Sequence, residues 1–122
     1  MQRLQNTSRG AYATILLTPN SMKVQNMPSN RLPMKRIPNQ FIITDEGRGA
    51  NGNFIRREVF QSYDSVIAVR TIWPDETRIE LDERYWDYST TTGKYRNQFL
   101  GEDKAATEKK IKSGEYVLTN LN

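Results

Sequence analysis

A chain of 122 residues with a net charge of +4 suffices for one domain, which buries roughly two thirds of its unfolded surface and leaves no room for a second. It has no cysteine and no histidine, which excludes a disulfide framework, thiolate or imidazole zinc sites and an imidazole general base, and with them most hydrolase, protease and deaminase mechanisms. No apolar run approaches the roughly 20 residues of a membrane span, and the first residues lack the basic-then-apolar layout of a signal peptide, so the expected setting is soluble and cytoplasmic, without membrane contact.

The charge is unevenly placed. Residues 1–44 carry Arg3, Arg9, Lys23, Arg31, Lys35 and Arg36 and no acid, giving +6 against −2 for the remainder. An unopposed basic segment attracts anions without any shaped site. The plainer reading is a solvated arm.

In chain order, residues 1–10 are polar, and residues 11–18, AYATILLT, are a short run of β-formers that stops at Pro19 and reads as a strand. Residues 19–38 hold four prolines and three methionines. Proline at this spacing prevents helix and interrupts sheet pairing, so an extended N-terminal arm is predicted. There Arg31, Lys35 and Arg36 lie next to Leu32, Met34 and Ile37, the composition of an arm that lays apolar side chains on a partner while its cations reach phosphate or carboxylate. Alternatively, Met34 and Ile37 cover the protein's own core. The predicted division is a strand plus basic arm over 1–39 and a compact domain over 40–122.

Residues 40–44 begin the sheet, and the glycine-rich stretch 45–53 predicts a hairpin loop before a strand over 54–61. Gly47, Gly49 and Gly52 match the spacing G-x-G-x-x-G. A dinucleotide loop must open a helix, and here a strand-like run succeeds it, so the plain turn is preferred. A turn at 63–65 leads into residues 66–73, apolar on both faces and read as a central strand. Trp73-Pro74-Asp75-Glu76 forms a tight turn, and residues 77–82 return. Pro74, Asp75 and Glu80 imitate the opening of a nuclease motif, but Asp82 stands where its lysine belongs.

Ser89 is a good N-cap for a helix over residues 90–100, with Tyr88, Thr92, Tyr95 and Phe99 at helical spacing and Gly101 as its stop. Lys94, Arg96, Asn97 and Gln98 are expected to face outward. Asp103 caps a second helix over 104–113 that Gly114 closes, and residues 115–121 form a final strand or docked tail. The predicted fold is α+β: an antiparallel four- to five-stranded sheet, two C-terminal helices on one face, and a proline-rich extended N-terminal arm.

Chemistry-bearing residues are few. Asp82, Glu83 and Asp87 could offer oxygen ligands to a hard cation, or simply cap a helix and pair with Arg84. Tyr85, Trp86 and Tyr88, with Lys94 and Arg96 nearby, could stack bases and neutralise phosphate, or bury their rings in the core. No catalytic residue, metal or cofactor is expected. The predicted partner-binding residues are Arg31, Lys35, Arg36, Lys94, Arg96 and Gln98.

The runs SYDSVIAVR, IELDERYWDYSTTTGKYRNQFLGE and IKSGEYVLTNLN, within residues 61–122, resemble a small uncharacterised domain found in short proteins of phages, plasmids and integrative elements, chiefly of Firmicutes. The resemblance implies a mobile-element setting and supplies no catalytic residues. It favours a non-catalytic inhibitor of a host nucleic-acid-targeting defence nucleoprotein, in the anti-CRISPR manner, with a Cas nuclease and its guide RNA as the kind of host partner. The alternatives are an accessory protein for replication or transfer that contacts nucleic acid directly, and a virion accessory protein. Oligomeric state is left open.

Overall fold

A computed structural model describes residues 22–29 and 36–122. Alternating apolar side chains between tight turns build four consecutive antiparallel strands: β2 (Arg36–Arg48), β3 (Phe54–Ser62), β4 (Ser65–Trp73) and β5 (Glu76–Asp82). β1 (Lys23–Pro28) adds antiparallel to β2 at one edge, and β6 (Tyr116–Thr119) adds parallel to β5 at the other. The sheet is therefore six-stranded and mixed, in the order β1-β2-β3-β4-β5-β6, where the sequence predicts four or five antiparallel strands. A chain that returns through helices α1 (Thr90–Leu100) and α2 (Lys104–Ser113) re-enters the sheet in the direction it left, which a hairpin cannot achieve.

β1 is the second departure. Residues 23–28 pair with a sheet although prolines surround them, because each proline within the strands falls where no ladder amide is needed. Pro28 ends an edge strand. Pro38 falls in an irregularity of β2, where pairing steps from Asn26↔Phe41 to Pro28↔Arg36, Asn39 takes φ 65°, and Asn26 Nδ2 donates to the Ile37 carbonyl at 2.7 Å. Met27, 1% exposed, joins the core. The strand predicted over residues 11–18 lies outside the described residues.

The glycine-rich stretch is a hairpin. β2 continues through Gly47 to Arg48, and the turn closes with Gly49 N–H on the Asn53 carbonyl and Gly52 N–H on the Gly49 carbonyl, both at 2.9 Å. Gly52 takes φ 85°, which only glycine adopts at low cost.

Both helices end where their caps dictate. Ser89 Oγ accepts the Thr92 amide at 3.0 Å and Asp103 Oδ1 the Ala106 amide at 2.9 Å, and Gly101 and Gly114 are left-handed. Their apolar residues meet one core of Met27, Phe60, Ile67, Ala68, Leu81, Phe99 and Tyr116, with Leu100 and Ile111 packed against it. The Phe60 and Phe99 rings stack at 5.8 Å.

The junction between sheet and helices hangs on Asp82, which is 1% exposed. Its Oδ2 accepts the amides of Arg84 and Tyr85 at 3.0 and 2.8 Å, and its Oδ1 accepts the amide of Leu121 at 2.8 Å. Truncation strands three amides around a void, so Asp82→Ala is expected to cost about 3 kcal/mol or more in urea denaturation, with Asp82→Asn recovering part of the loss. A cost below about 1 kcal/mol would show that this carboxylate is not what ties the junction.

Candidate partner-binding surface

The sequence of α1, TTTGKYRNQFL, buries Thr92, Gly93, Arg96 and Phe99. Arg96 thus lies on the stripe of Thr92 and Phe99, four residues after one and three before the other. Its outward placement, expected from its charge, is overturned: it is 1% exposed. Nη1 donates to the Trp86 carbonyl at 2.8 Å and to Asp87 Oδ1 at 3.1 Å, and Nη2 to Asn97 Oδ1 at 2.9 Å. The guanidinium carbon sits 5.1 Å from the Trp86 ring centroid. The chain leaving β5 folds back along α1 and supplies a carbonyl, a carboxylate and a ring, which together allow a cation to be buried. Arg96 is framework and cannot reach a partner.

Gln98 is also turned inward, half-buried, with Nε2 donating to the Pro28 carbonyl at 2.6 Å. It holds α1 to β1. Lys94, one turn earlier, is exposed, its ammonium 5.3 Å from the Tyr95 centroid. Arg36 is exposed at the start of β2, directly opposite Pro28. Gln98 thus links the helix turn that follows Lys94 to Pro28, whose ladder partner is Arg36. Arg31 and Lys35 lie outside the described residues, in the stretch 30–35 that joins Ser29 to Arg36.

The acidic cluster does not converge. Asp82 is saturated by amides, Glu83 is exposed, and Asp87 is shared between Arg96 and Lys104, whose Nζ lies 2.6 Å from Oδ2. Among the described residues no three potential ligands stand together for a metal ion. Of the three ring residues, Tyr85 and Trp86 pack against the core, while Tyr88 is 47% exposed and meets Tyr85 edge-on at 5.5 Å. Lys104 carries no signal in the sequence. Nothing in a separation of 17 residues from Asp87 indicates that the two meet.

A family of unknown function, DUF8033, matches residues 22–115, more than half of the chain. The chain belongs to that family. The match opens one residue before β1, so β1, β2 and β3 fall inside the family's domain. No curated protein and no solved structure matches the chain.

Three carboxyl groups in this part of the molecule are held below their ordinary range. Burial would raise each, but hydrogen bonds from cations outweigh it: Arg70 and Arg56 at Glu58, Lys104 and Arg96 at Asp87, and Lys110, with the Thr107 hydroxyl, at Glu102. Groups whose pKa is depressed by folding contribute stability that is complete above the unfolded value, and it is lost as pH falls through the folded one. The melting temperature is expected to be level from neutrality to about pH 5 and to fall below about pH 4. Glu58→Gln should melt lower at neutral pH and lose less on acidification. A parallel decline of parent and variant would contradict this assignment. Arg96→Ala is expected to cost about 3–5 kcal/mol in the same denaturation assay, and Arg96→Lys to recover little, because an ammonium cannot reproduce two nitrogens aimed at three acceptors.

Proposed function

We propose that this protein is a non-catalytic binding protein that docks its basic edge on an anionic nucleoprotein surface. In the mobile-element setting that the sequence resemblance implies, it acts in the host cytoplasm as an inhibitor of a nucleic-acid-targeting defence complex. The observation that carries the reading is the hydrogen bond from Gln98 to the Pro28 carbonyl. It joins the acid-free N-terminal part to α1: Arg36 faces Pro28 in the ladder and Lys94 precedes Gln98 by one turn, although the two cations are 58 positions apart in the sequence.

The charge state of these side chains supports the same reading. Asp45 is held by Arg57, Glu58 by Arg56 and Arg70, and Glu102 by Lys110, so those carboxylates already have cations. Among the described residues Arg36 and Lys94 make no ion pair, which leaves their charge for a partner. Cations at a rim steer association and set its salt dependence more than they set the lifetime of the complex.

The test is capture by a Cas nuclease loaded with guide RNA, followed by a cleavage assay. Parent protein is expected to bind and suppress cleavage. Replacing Arg31, Lys35, Arg36 and Lys94 together by alanine is expected to abolish both, while shifting stability by less than about 1 kcal/mol, as exposed charges do. Full cleavage at saturating parent protein rejects the inhibitor reading, and unaltered binding by the quadruple variant rejects the edge.

A further inference from the structure

At the start of α1 lies a depression of about 620 Å³ bordered by Tyr88, Ser89, Gly93, Lys94, Arg96 and Lys104, within the roughly 300–1,000 Å³ typical of small-ligand sites. Three of these residues are cationic, against one bordering carboxylate, Asp87, which Arg96 and Lys104 already neutralise. The depression is electropositive before any ligand arrives.

Its floor is unusual for a helix. A Cβ at position 93 would stand 3.6 and 3.7 Å from the two terminal nitrogens of Arg96 and 3.8 Å from Asp87 Oδ1, so at the glycine the depression borders directly on that buried ion pair. Arg96 is 1% exposed and its Nε has no hydrogen-bond partner. Arg96 and Lys104 share the single carboxylate of Asp87, so two cations against one anion leave a positive excess beside Gly93. The helix start adds to it. The first turn of α1 contains no acid, and once Ser89 has taken the Thr92 amide, those of Thr90 and Thr91 have no acceptor within the helix. Packing does not require the glycine: its φ is not positive, and the added carbon would meet only ordinary contacts, although alanine is the better helix former. Beside the same depression stands Tyr88, half exposed and braced edge-on by Tyr85.

We infer that this depression seats one nucleotide of a single strand, with the phosphate over Gly93 between Lys94 and Lys104 and the base against the Tyr88 ring. This rests on the proposed function, in which the partner contains nucleic acid. A base must leave its stack to lie on a side-chain ring, which selects single strands over duplex.

Anisotropy of a labelled short oligonucleotide at low salt tests this on the full chain, with the matching duplex as a second probe and inorganic phosphate as competitor. The single strand is expected to bind more tightly than the duplex, and phosphate to displace it. Tyr88→Ala should weaken binding about tenfold, the scale of one lost base stack. Gly93→Ala should also weaken it several-fold while raising the melting temperature, a combination that misfolding cannot produce. Equal affinity for duplex, or parent-like binding by both variants, overturns the inference. Strand binding that phosphate displaces but that Tyr88→Ala leaves unchanged reduces the depression to an anion site and likewise overturns it. Strand binding lost on Arg36→Ala but not on Gly93→Ala places the contact on the β1 edge, sparing the proposed function while rejecting this site. Strand binding with intact nuclease cleavage rejects the inhibitor instead.

Discussion

The carboxylate of Asp82 is the constraint on which the architecture turns. It accepts amides from two directions: Arg84 and Tyr85 as the chain leaves β5, and Leu121 as the chain returns after β6. A buried carboxylate is costly unless its lone pairs are used, and here three backbone donors use them. The parallel β5–β6 pairing rests on only four residue pairs, too few to fix the return of the chain unaided. Asp82, with the Glu83 amide on the Thr119 carbonyl at 2.8 Å, supplies the missing definition.

The placement of α1 depends on that turn. The Trp86 amide bonds the Asp82 carbonyl at 3.1 Å, and the carbonyl of the same Trp86 receives Arg96. A continuous path thus runs from the sheet edge through the junction into the middle of α1. With Arg96 enclosed by the junction and Gln98 spent on Pro28, the polar side of α1 presents Lys94 as its outward cation. Internal structure has already decided which charges the surface can use.

The helices are legible in the sequence because their limits are local: a serine or aspartate that accepts an amide, and a glycine that can turn left-handed, act within four residues. The turns at Tyr63-Asp64 and Pro74-Asp75 are legible for the same reason. β6 is visible as a strand but not as a parallel one, since its partner lies beyond two helices and no local pattern encodes that pairing. β1 is masked by its prolines, whose effect depends on whether their positions face a ladder, which composition does not report. Arg96 misleads because two signals conflict there. Its charge marks the surface and its spacing from Thr92 and Phe99 marks the interior; a carboxylate and a carbonyl supplied from ten or so residues away let the spacing win. Gln98 carries no signal at all, because its acceptor is 70 residues distant.

Net charge is a poor guide to what such a molecule offers a partner. The residues after position 44 carry nearly balanced charge, and the described ion pairs join them to one another: Asp45 to Arg57, Glu58 to Arg70, Asp87 to Arg96 and Lys104, Glu102 to Lys110. Each pair closes locally and projects little field beyond a Debye length. The first 44 residues contain no acid with which to do the same. Because Pro28 has no amide, its carbonyl is the one backbone group it can offer, and Gln98 takes it, fixing the end of β1 against α1 beside an unopposed lysine.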